Sequence, residues 1–283
     1  MRSVSDRGPG TGAGLSPDGG STDGRWWTRQ SDGSVAPGGI TVDVRLSRAE
    51  PRWTVIALHP GDPGPAAASP APAAVEASLE VIDAQYGGIL ADSASVLVVC
   101  RQWTRQSDGS VAPGGITVDV RLSRAEPRWT VIALHPGDPG PAAASPAPAV
   151  AKVLAEPRIE LPPEAEADLL SGNVHDTVPT AMLRLAGPYT LSVSVVRTGH
   201  PLDVFGTTRP SDHPLGRAFD VRRIDGRAVV DPATPRQLIE SFMRDAAAAG
   251  SYNVGGPVAI AGAGNQFFTD DTHHDHVHIG FNS

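Results

Sequence analysis

Five of the nine histidines lie towards the C-terminal end of the chain, at positions 213, 273, 274, 276 and 278. The first of them, His213, is followed seven residues later by Asp220. Imidazole nitrogens and carboxylate oxygens both bind zinc, and a hydrolytic zinc site needs three protein ligands so that water can take the fourth position. The spacing therefore predicts that His213 and Asp220 supply two ligands of such a site.

The remaining ligand is expected from the histidines near the end of the chain. Side chains alternate along a strand, so His276 and His278 share one face and two imidazoles point into one site. A zinc-bound water also needs a general base, and Asp275 is the best candidate because it lies just outside the predicted strand. Asp270 and Asp271 are the alternatives. The alternative interpretation of residues 273–278 is an exposed histidine-rich tail that binds metal without a specific function.

The chain must double back if His213 and Asp220 are to face the same point. The segment between them contains Pro-Leu-Gly at 214–216, and Gly216 suits a tight turn because it has no Cβ. We predict that His213 lies in a loop and that Asp220 lies on the strand that follows.

The elements around this site are predicted from the hydrophobic pattern and from capping residues. A helix is expected with Thr234 as its N-cap and Pro235 as its first residue, ending before Gly250. Strands and further helices follow from the same reasoning. The strands are expected at 189–197, 253–260 and 276–281, and the helices at 149–155 and 163–171.

An exact internal repeat is found upstream of these elements: residues 27–73 recur without a substitution as residues 103–149. Identity at loop positions as well as core positions indicates a recent duplication or a gene-model artefact, and not a selected array of modules.

Each copy is expected to hold two strands, at 40–46 and 53–58 in the first copy, and then a Pro/Ala-rich linker. Between the copies we expect a helix at 74–90 and a strand at 94–103. The strands of the first copy would either compete with the second copy for one pairing edge or stay loosely attached.

Composition excludes several classes of function. Lys and Arg number 23 against 31 Asp and Glu, a formal charge of −8, and no basic run could follow a phosphate backbone, so nucleic acid is not an expected partner. No apolar run is long enough to span a bilayer, and the first residues lack the apolar region of a signal peptide. The single cysteine, Cys100, excludes an intrachain disulfide and is expected to be buried. The oligomeric state is left open.

One spacing in this chain is similar to a known family. Ser211-x-His213-x-x-Gly216-x-Ala218-x-Asp220, with a terminal His276-x-His278, resembles the zinc D-alanyl-D-alanine carboxypeptidases and their relatives. These relatives are the hedgehog-like (LAS-type) metallopeptidases, which include murein endopeptidases and phage endolysins. The resemblance covers residues 188–283 only.

The resemblance implies a role for each matching residue. It implies that His213, Asp220 and His278 bind Zn²⁺. It also implies that Asp275 has the acid/base role and that His276 lines the site and helps in the transition state. Two substrate contacts follow in the same way: Arg197 would bind the carboxylate or carbonyl of the substrate, and Ser211 would add a hydroxyl contact.

We therefore predict an α+β protein with a disordered tail at 1–24, a duplicated α+β segment at 25–149 and a helical connector at 150–187. A hedgehog/DD-peptidase-like domain at 188–283 would have a small antiparallel sheet and flanking helices. The expected function is zinc-dependent hydrolysis of peptidoglycan peptides, of the D-Ala-D-Ala carboxypeptidase or endopeptidase type. The alternatives are a non-catalytic, zinc-stabilised binding domain of the same fold and a non-functional product of gene rearrangement. Because cell-wall peptides lie outside the membrane, the resemblance implies an extracytoplasmic location.

Overall fold

The computed structural model describes residues 77–282, apart from residues 107, 126, 127, 262 and 263. Upstream of residue 77 it describes the backbone of four strands. These strands overlap the predicted tail at 1–24 and the first repeat copy at 27–73. The linker expected at 61–73 lies outside the described residues, as do residues 1–12 and 15–19 of the predicted tail. The four strands are β1 (Ala13–Gly14), β2 (Gly20–Arg29), β3 (Val35–Ala49) and β4 (Arg52–Pro60).

Residues 77–136 form four long antiparallel strands, and β1 adds to their sheet, in the order β1-β8-β7-β6-β5. The valine-rich strand β6 is buried on both faces, as its apolar run predicts. Val96, Val98 and the thiol of Cys100 pack on one face, whereas Leu97 and Val99 pack against the C-terminal half of the chain. The strands are β5 (Ala77–Ile89), β6 (Ser93–Arg105), β7 (Val111–Ala125) and β8 (Arg128–Pro136).

The helix predicted at 74–90 is wrong, because β5 is a strand. Gly87 and Gly88 are poor helix formers, and here they allow a close approach of other chain segments. A Cβ on Gly88 would lie 2.0 Å from Cβ of Phe205, and one on Gly87 would lie 2.6 Å from the Ser95 hydroxyl. Pairing with the valine-rich β6 therefore overrides the weak helical pattern.

The C-terminal half contains a seven-stranded sheet in the order β14-β13-β15-β11-β10-β9, with β12 paired to β11. The sheet is mostly antiparallel, as expected, but β9–β10 and β13–β14 pair in parallel. Four helices accompany it. The strands are β9 (Ile159–Glu160), β10 (Leu191–Val193), β11 (Ala218–Ile224), β12 (Arg227–Ala228), β13 (Asn253–Gly255), β14 (Phe267–Phe268) and β15 (Val277–Gly280), and the helices are α1 (Pro148–Ala155), α2 (Pro163–Leu170), α3 (Thr177–Leu185) and α4 (Arg236–Ala248).

The predicted elements of this half are present, but several are shorter. The strands expected at 189–197 and 253–260 are observed as the three-residue strands β10 and β13. Helix α4 begins one residue later than predicted, with Pro235 at the N-cap position. The Thr234 hydroxyl donates to the carbonyl of Ala228 at 2.7 Å, so it fastens the preceding loop and does not cap the helix.

One continuous hydrophobic core joins the helices to the C-terminal sheet, from Val150 in α1 to Phe281 after β15. The connector helices thus pack on the same core as the strands that carry the candidate metal ligands. The coarse prediction of an α+β protein is confirmed. Within the part of the chain that the structure describes, no helix is both long and apolar enough to cross a membrane.

Candidate metal centre

The two neighbouring strands β11 and β15 bring two predicted ligands together. Asp220 and His278 are directly opposite each other in this antiparallel pair. Side chains of opposed residues lie on the same face of a sheet, so the carboxylate and the imidazole meet at one point. His278 Nδ1 lies 3.1 Å from Asp220 Oδ1.

The loop before β11 supplies the other predicted ligand, His213. Gly216 adopts φ +70° and its amide donates to the His213 carbonyl at 2.8 Å, which closes the predicted turn. A Cβ at Gly216 would lie 2.1 Å from the carbonyl oxygen of Asn173, so only glycine fits there. The turn directs His213 Nε2 to within 3.1 Å of both Asp220 Oδ1 and His278 Nδ1.

These three donor atoms have the separation that a metal ion requires. In a tetrahedral zinc site with bonds of about 2.0–2.1 Å, the ligand atoms lie about 3.3 Å apart. The observed 3.1 Å separations between His213, Asp220 and His278 are close to that value. The three residues form a buried group that could hold a metal ion.

A second contact fixes which ring nitrogen of His213 faces this group. His213 Nδ1 lies 2.8 Å from the carbonyl oxygen of Val196, which can only accept, so Nδ1 carries the hydrogen. Nε2 is then the nitrogen that faces Asp220 and His278. This contact to a backbone carbonyl is typical of histidines that bind metal.

The charge states suit cation binding. Burial opposes ionisation of Asp220, but the surrounding His213 and His276 rings hold the pKa of its carboxyl well below the usual range. Burial lowers the pKa of His278 to about 4, although Asp220 acts in the opposite direction. At neutral pH the group therefore offers one carboxylate and a neutral imidazole, the forms that bind a metal.

The neighbouring pair, Asp275 and His276, forms a dyad beside the candidate metal ligands. Asp275 Oδ1 accepts from His276 Nδ1 at 2.6 Å, and the other ring nitrogen of His276 lies 3.8 Å from Asp220 Oδ2. Burial lowers the pKa of His276, but the charge of Asp220 and the hydrogen bond to Asp275 raise it to about 9 overall. One nitrogen of the His276 ring thus faces Asp220, and Asp275 binds the other.

One alternative base, Asp270, and two further histidines, His273 and His200, have other partners. Asp270 Oδ1 lies 2.7 Å from His273 Nδ1, an exposed pair that also caps the 270–273 turn. The ring of His200 stacks on that of His213, with 4.2 Å between centroids. Burial and the adjacent His213 keep the pKa of His200 well below its ordinary value.

The two residues predicted to bind substrate lie near the centre but contact protein groups. Ser211 Oγ is 3.3 Å from His200 Nδ1, so it reaches the metal ligands only through the stacked rings. Arg197 Nη1 lies 3.5 Å from Oδ1 of the buried Asp168. Arg197 and His200 also line a cavity of about 560 Å³ between strands β7 and β8 and the loop at 197–207.

A residue that sequence reasoning did not identify also reaches the centre. Gln85, on β5, donates from Nε2 to Asp220 Oδ2 at 2.6 Å. It lies 135 residues upstream of Asp220, and an isolated glutamine has no motif that could have signalled this contact.

Comparisons of the chain with protein-family models, with curated proteins and with solved structures found no match.

Proposed function

We propose that this chain is a zinc-dependent peptidase with a hedgehog/DD-peptidase-like C-terminal domain, acting on cell-wall peptides as a D-Ala-D-Ala carboxypeptidase or endopeptidase. The observation that carries the proposal is the triad of donor atoms from His213, Asp220 and His278, each 3.1 Å from the other two. Three protein ligands leave a fourth position for water, the arrangement of hydrolytic zinc sites. The substrate class and the extracytoplasmic location come from the sequence resemblance.

Zinc would supply a Lewis acid and a bound water of lowered pKa. The dyad of Asp275 and His276 supports the remaining chemistry. Asp275 holds the His276 ring by a 2.6 Å hydrogen bond, and the charge of Asp220 together with this bond raises the pKa of the ring to about 9. An imidazolium at this place stabilises negative charge that develops on the carbonyl oxygen of a scissile peptide.

Asp275 is also the group of this dyad that can take up a proton. A carboxylate has about four lone-pair positions, so Asp275 retains acceptor capacity after accepting from His276 and from the backbone N–H of Tyr86. In this role it receives the proton of the attacking water and returns it to the leaving amine.

Substrate recognition in this proposal involves the cavity beside the centre. A peptide that ends in a carboxylate could compete with Asp168 for Arg197, whose side chain is 20% exposed. Ser211 would orient His200, which stacks on the ligand His213. The cavity would then hold the residues that flank the scissile bond.

A non-catalytic, zinc-stabilised binding domain is the second candidate, and burial of the centre favours it. The exposed fractions of His213, Asp220 and His278 are 1%, 0% and 7%. Strand β5 also contacts two of the carboxylates, since Gln85 donates to Asp220 and the Tyr86 amide donates to Asp275. Structural zinc sites are closed, whereas catalytic sites keep a position open to water or substrate, so this burial favours a structural role.

One preparation of the full chain can separate these candidates. We expect one zinc per chain by elemental analysis, and release of D-alanine or cleaved fragments from defined muropeptides by mass spectrometry. His213→Ala should abolish both, whereas the control His175→Ala, which changes an exposed histidine, should retain both. One zinc per chain without turnover would support the binding domain. A wild-type chain that binds no stoichiometric zinc would refute both candidates.

A further inference from the structure

The Gln85 side chain is buried between two parts of the chain that are distant in sequence. It projects from β5, a strand of the upstream sheet, and is only 3% exposed. Its Nε2 donates to Asp220 Oδ2 at 2.6 Å, and its Oε1 accepts from the hydroxyl of Ser194. A buried amide is costly unless its polar atoms are paired, and here both ends of the amide have a partner.

The orientation of this amide follows from its partners. A carboxylate that binds a metal ion can only accept hydrogen bonds, so the amino group of Gln85 faces Asp220 Oδ2. The carbonyl end of Gln85 then faces Ser194, whose hydroxyl can donate. Gln85 is therefore held as a hydrogen-bond donor to Asp220.

The two oxygens of Asp220 have different surroundings. Oδ1 lies 3.1 Å from His213 Nε2 and from His278 Nδ1, the nitrogens that would bind the metal. Oδ2 accepts a hydrogen bond from Gln85 and lies 3.8 Å from His276. Rotation about the terminal torsion of an aspartate is soft, so a single ligating oxygen needs an external contact to stay in place. The hydrogen bond from Gln85 supplies that contact.

The same strand also holds the second carboxylate of the site. β5 is the edge strand of its sheet, and the outward N–H of Tyr86 donates to Asp275 Oδ2 at 3.0 Å. The pairing of β5 with β6 is irregular between Val81 and Asp83 and again between Tyr86 and Gly88. Bulges of this kind redirect side chains, and Gln85 lies between the two.

We propose that Gln85 is a positioning residue of the metal centre, which holds Asp220 so that one carboxylate oxygen faces the ion. This inference rests on the proposed zinc centre and extends it to a strand outside the region that resembles zinc peptidases. The site is then built from two parts of the chain, and residues 188–283 alone do not complete it.

The affinity of the full chain for zinc tests this proposal without any enzymatic assay. Gln85→Met retains the length and bulk of the side chain but has no donor, and Gln85→Glu places a second carboxylate against Asp220. We expect both variants to bind zinc about 10–100-fold more weakly than wild type in competition with a chromogenic chelator, the usual effect of removing a second contact to a ligand. The control is Gln106→Ala, which removes an exposed amide and should leave affinity unchanged.

Two further measurements separate positioning from folding. Denaturant unfolding of the metal-free proteins should show that Gln85→Met folds cooperatively. The visible absorption spectrum of the Co²⁺-substituted variant should differ from that of wild type, because the carboxylate is no longer held with one oxygen on the ion. If folded Gln85→Met has wild-type zinc affinity and a wild-type Co²⁺ spectrum, the inference is refuted while the metal centre stands. If the wild-type chain binds neither ion, the proposed function fails and the inference fails with it.

Discussion

The carboxyl group of Glu164, in the first turn of α2, should make the stability of this protein fall as pH rises. Its side chain is 2% exposed, and among the described residues Oε2 has no hydrogen-bond partner. Thr198 Oγ1 lies 2.8 Å from Glu164 Oε1 and 2.9 Å from Asp168 Oδ1. A hydroxyl has one hydrogen and can donate to one carboxylate only, so a protonated Glu164 satisfies this arrangement best.

The magnitude follows from the pKa. Burial, with the nearby charge of Asp168, raises the pKa of Glu164 from 4.5 to about 7 although the hydrogen bond from Thr198 lowers it. Between these two values the unfolded chain has released the proton while the folded chain retains it, so the free energy of unfolding falls as pH rises. A shift of this size corresponds to about 3 kcal/mol in total, of which about 2 kcal/mol should be lost between pH 5 and pH 8.

Glu164→Gln removes this titration and retains a similar shape. Urea unfolding of the full chain should be measured at pH 5 and at pH 8. Between these values the free energy of unfolding of wild type should fall by about 2 kcal/mol relative to that of the variant. Glu166→Gln changes an exposed carboxylate of the same helix and should follow wild type. If the difference between wild type and Glu164→Gln is the same at both pH values, Glu164 is not buried between α2 and the upstream sheet, and our reasoning is wrong.

Three other predictions follow from the site and its supports. Asp275→Asn should lower peptide turnover about 10²–10⁴-fold with zinc content unchanged, and full turnover in this variant would exclude it as the base. When free zinc is at a thousand times its dissociation constant, bound zinc should raise the free energy of unfolding by about 4 kcal/mol. A chelator should remove this stabilisation, and the stability of His213→Ala should not depend on zinc. Gly115→Ala should destabilise the fold by about 1–3 kcal/mol in the same urea titration, because the new Cβ would lie 2.5 Å from the backbone nitrogen of Glu164. The control Gly114→Ala should have no comparable effect, because the space at its Cβ is open.

The convergence of the three candidate metal ligands could be predicted because it depends on local rules. Strand alternation places the side chains of β11 and β15, and the glycine at 216 permits the turn that returns His213 to Asp220. The prediction of a buried thiol is also confirmed, since Cys100 lies in the buried stretch 94–100 of β6. Each of these depends on a few neighbouring residues, whose types and spacing can be read directly.

The contacts between distant segments could not be predicted. The sequence suggested a helix where β5 lies, and the preference for a strand comes from pairing with β6, which no local pattern encodes. Arg197 was assigned to the substrate by resemblance, but its partner Asp168 lies on α2, in the helical connector. Its backbone N–H also donates to Asp168 Oδ2 at 2.8 Å. Such pairs depend on how separate elements pack, and a single sequence gives no measure of that.

The exact repeat gives two hairpins of the same sequence that pair with different strands. The registers of β3–β4 and β7–β8 are identical position for position, including an irregularity at the same arginine–leucine step. The strand that pairs with each hairpin differs: β6 brings the apolar run 96–99, whereas β2 begins with the polar segment Gly-Ser-Thr-Asp-Gly. Among the residues whose side chains the structure describes, Val118, Val120, Leu122 and Val131 of the second hairpin pack with Val96 and Val98 of β6. Gln85 and Tyr86 lie in the stretch between the two copies, so the hydrogen bonds from this sheet to Asp220 and Asp275 come from residues outside the repeat.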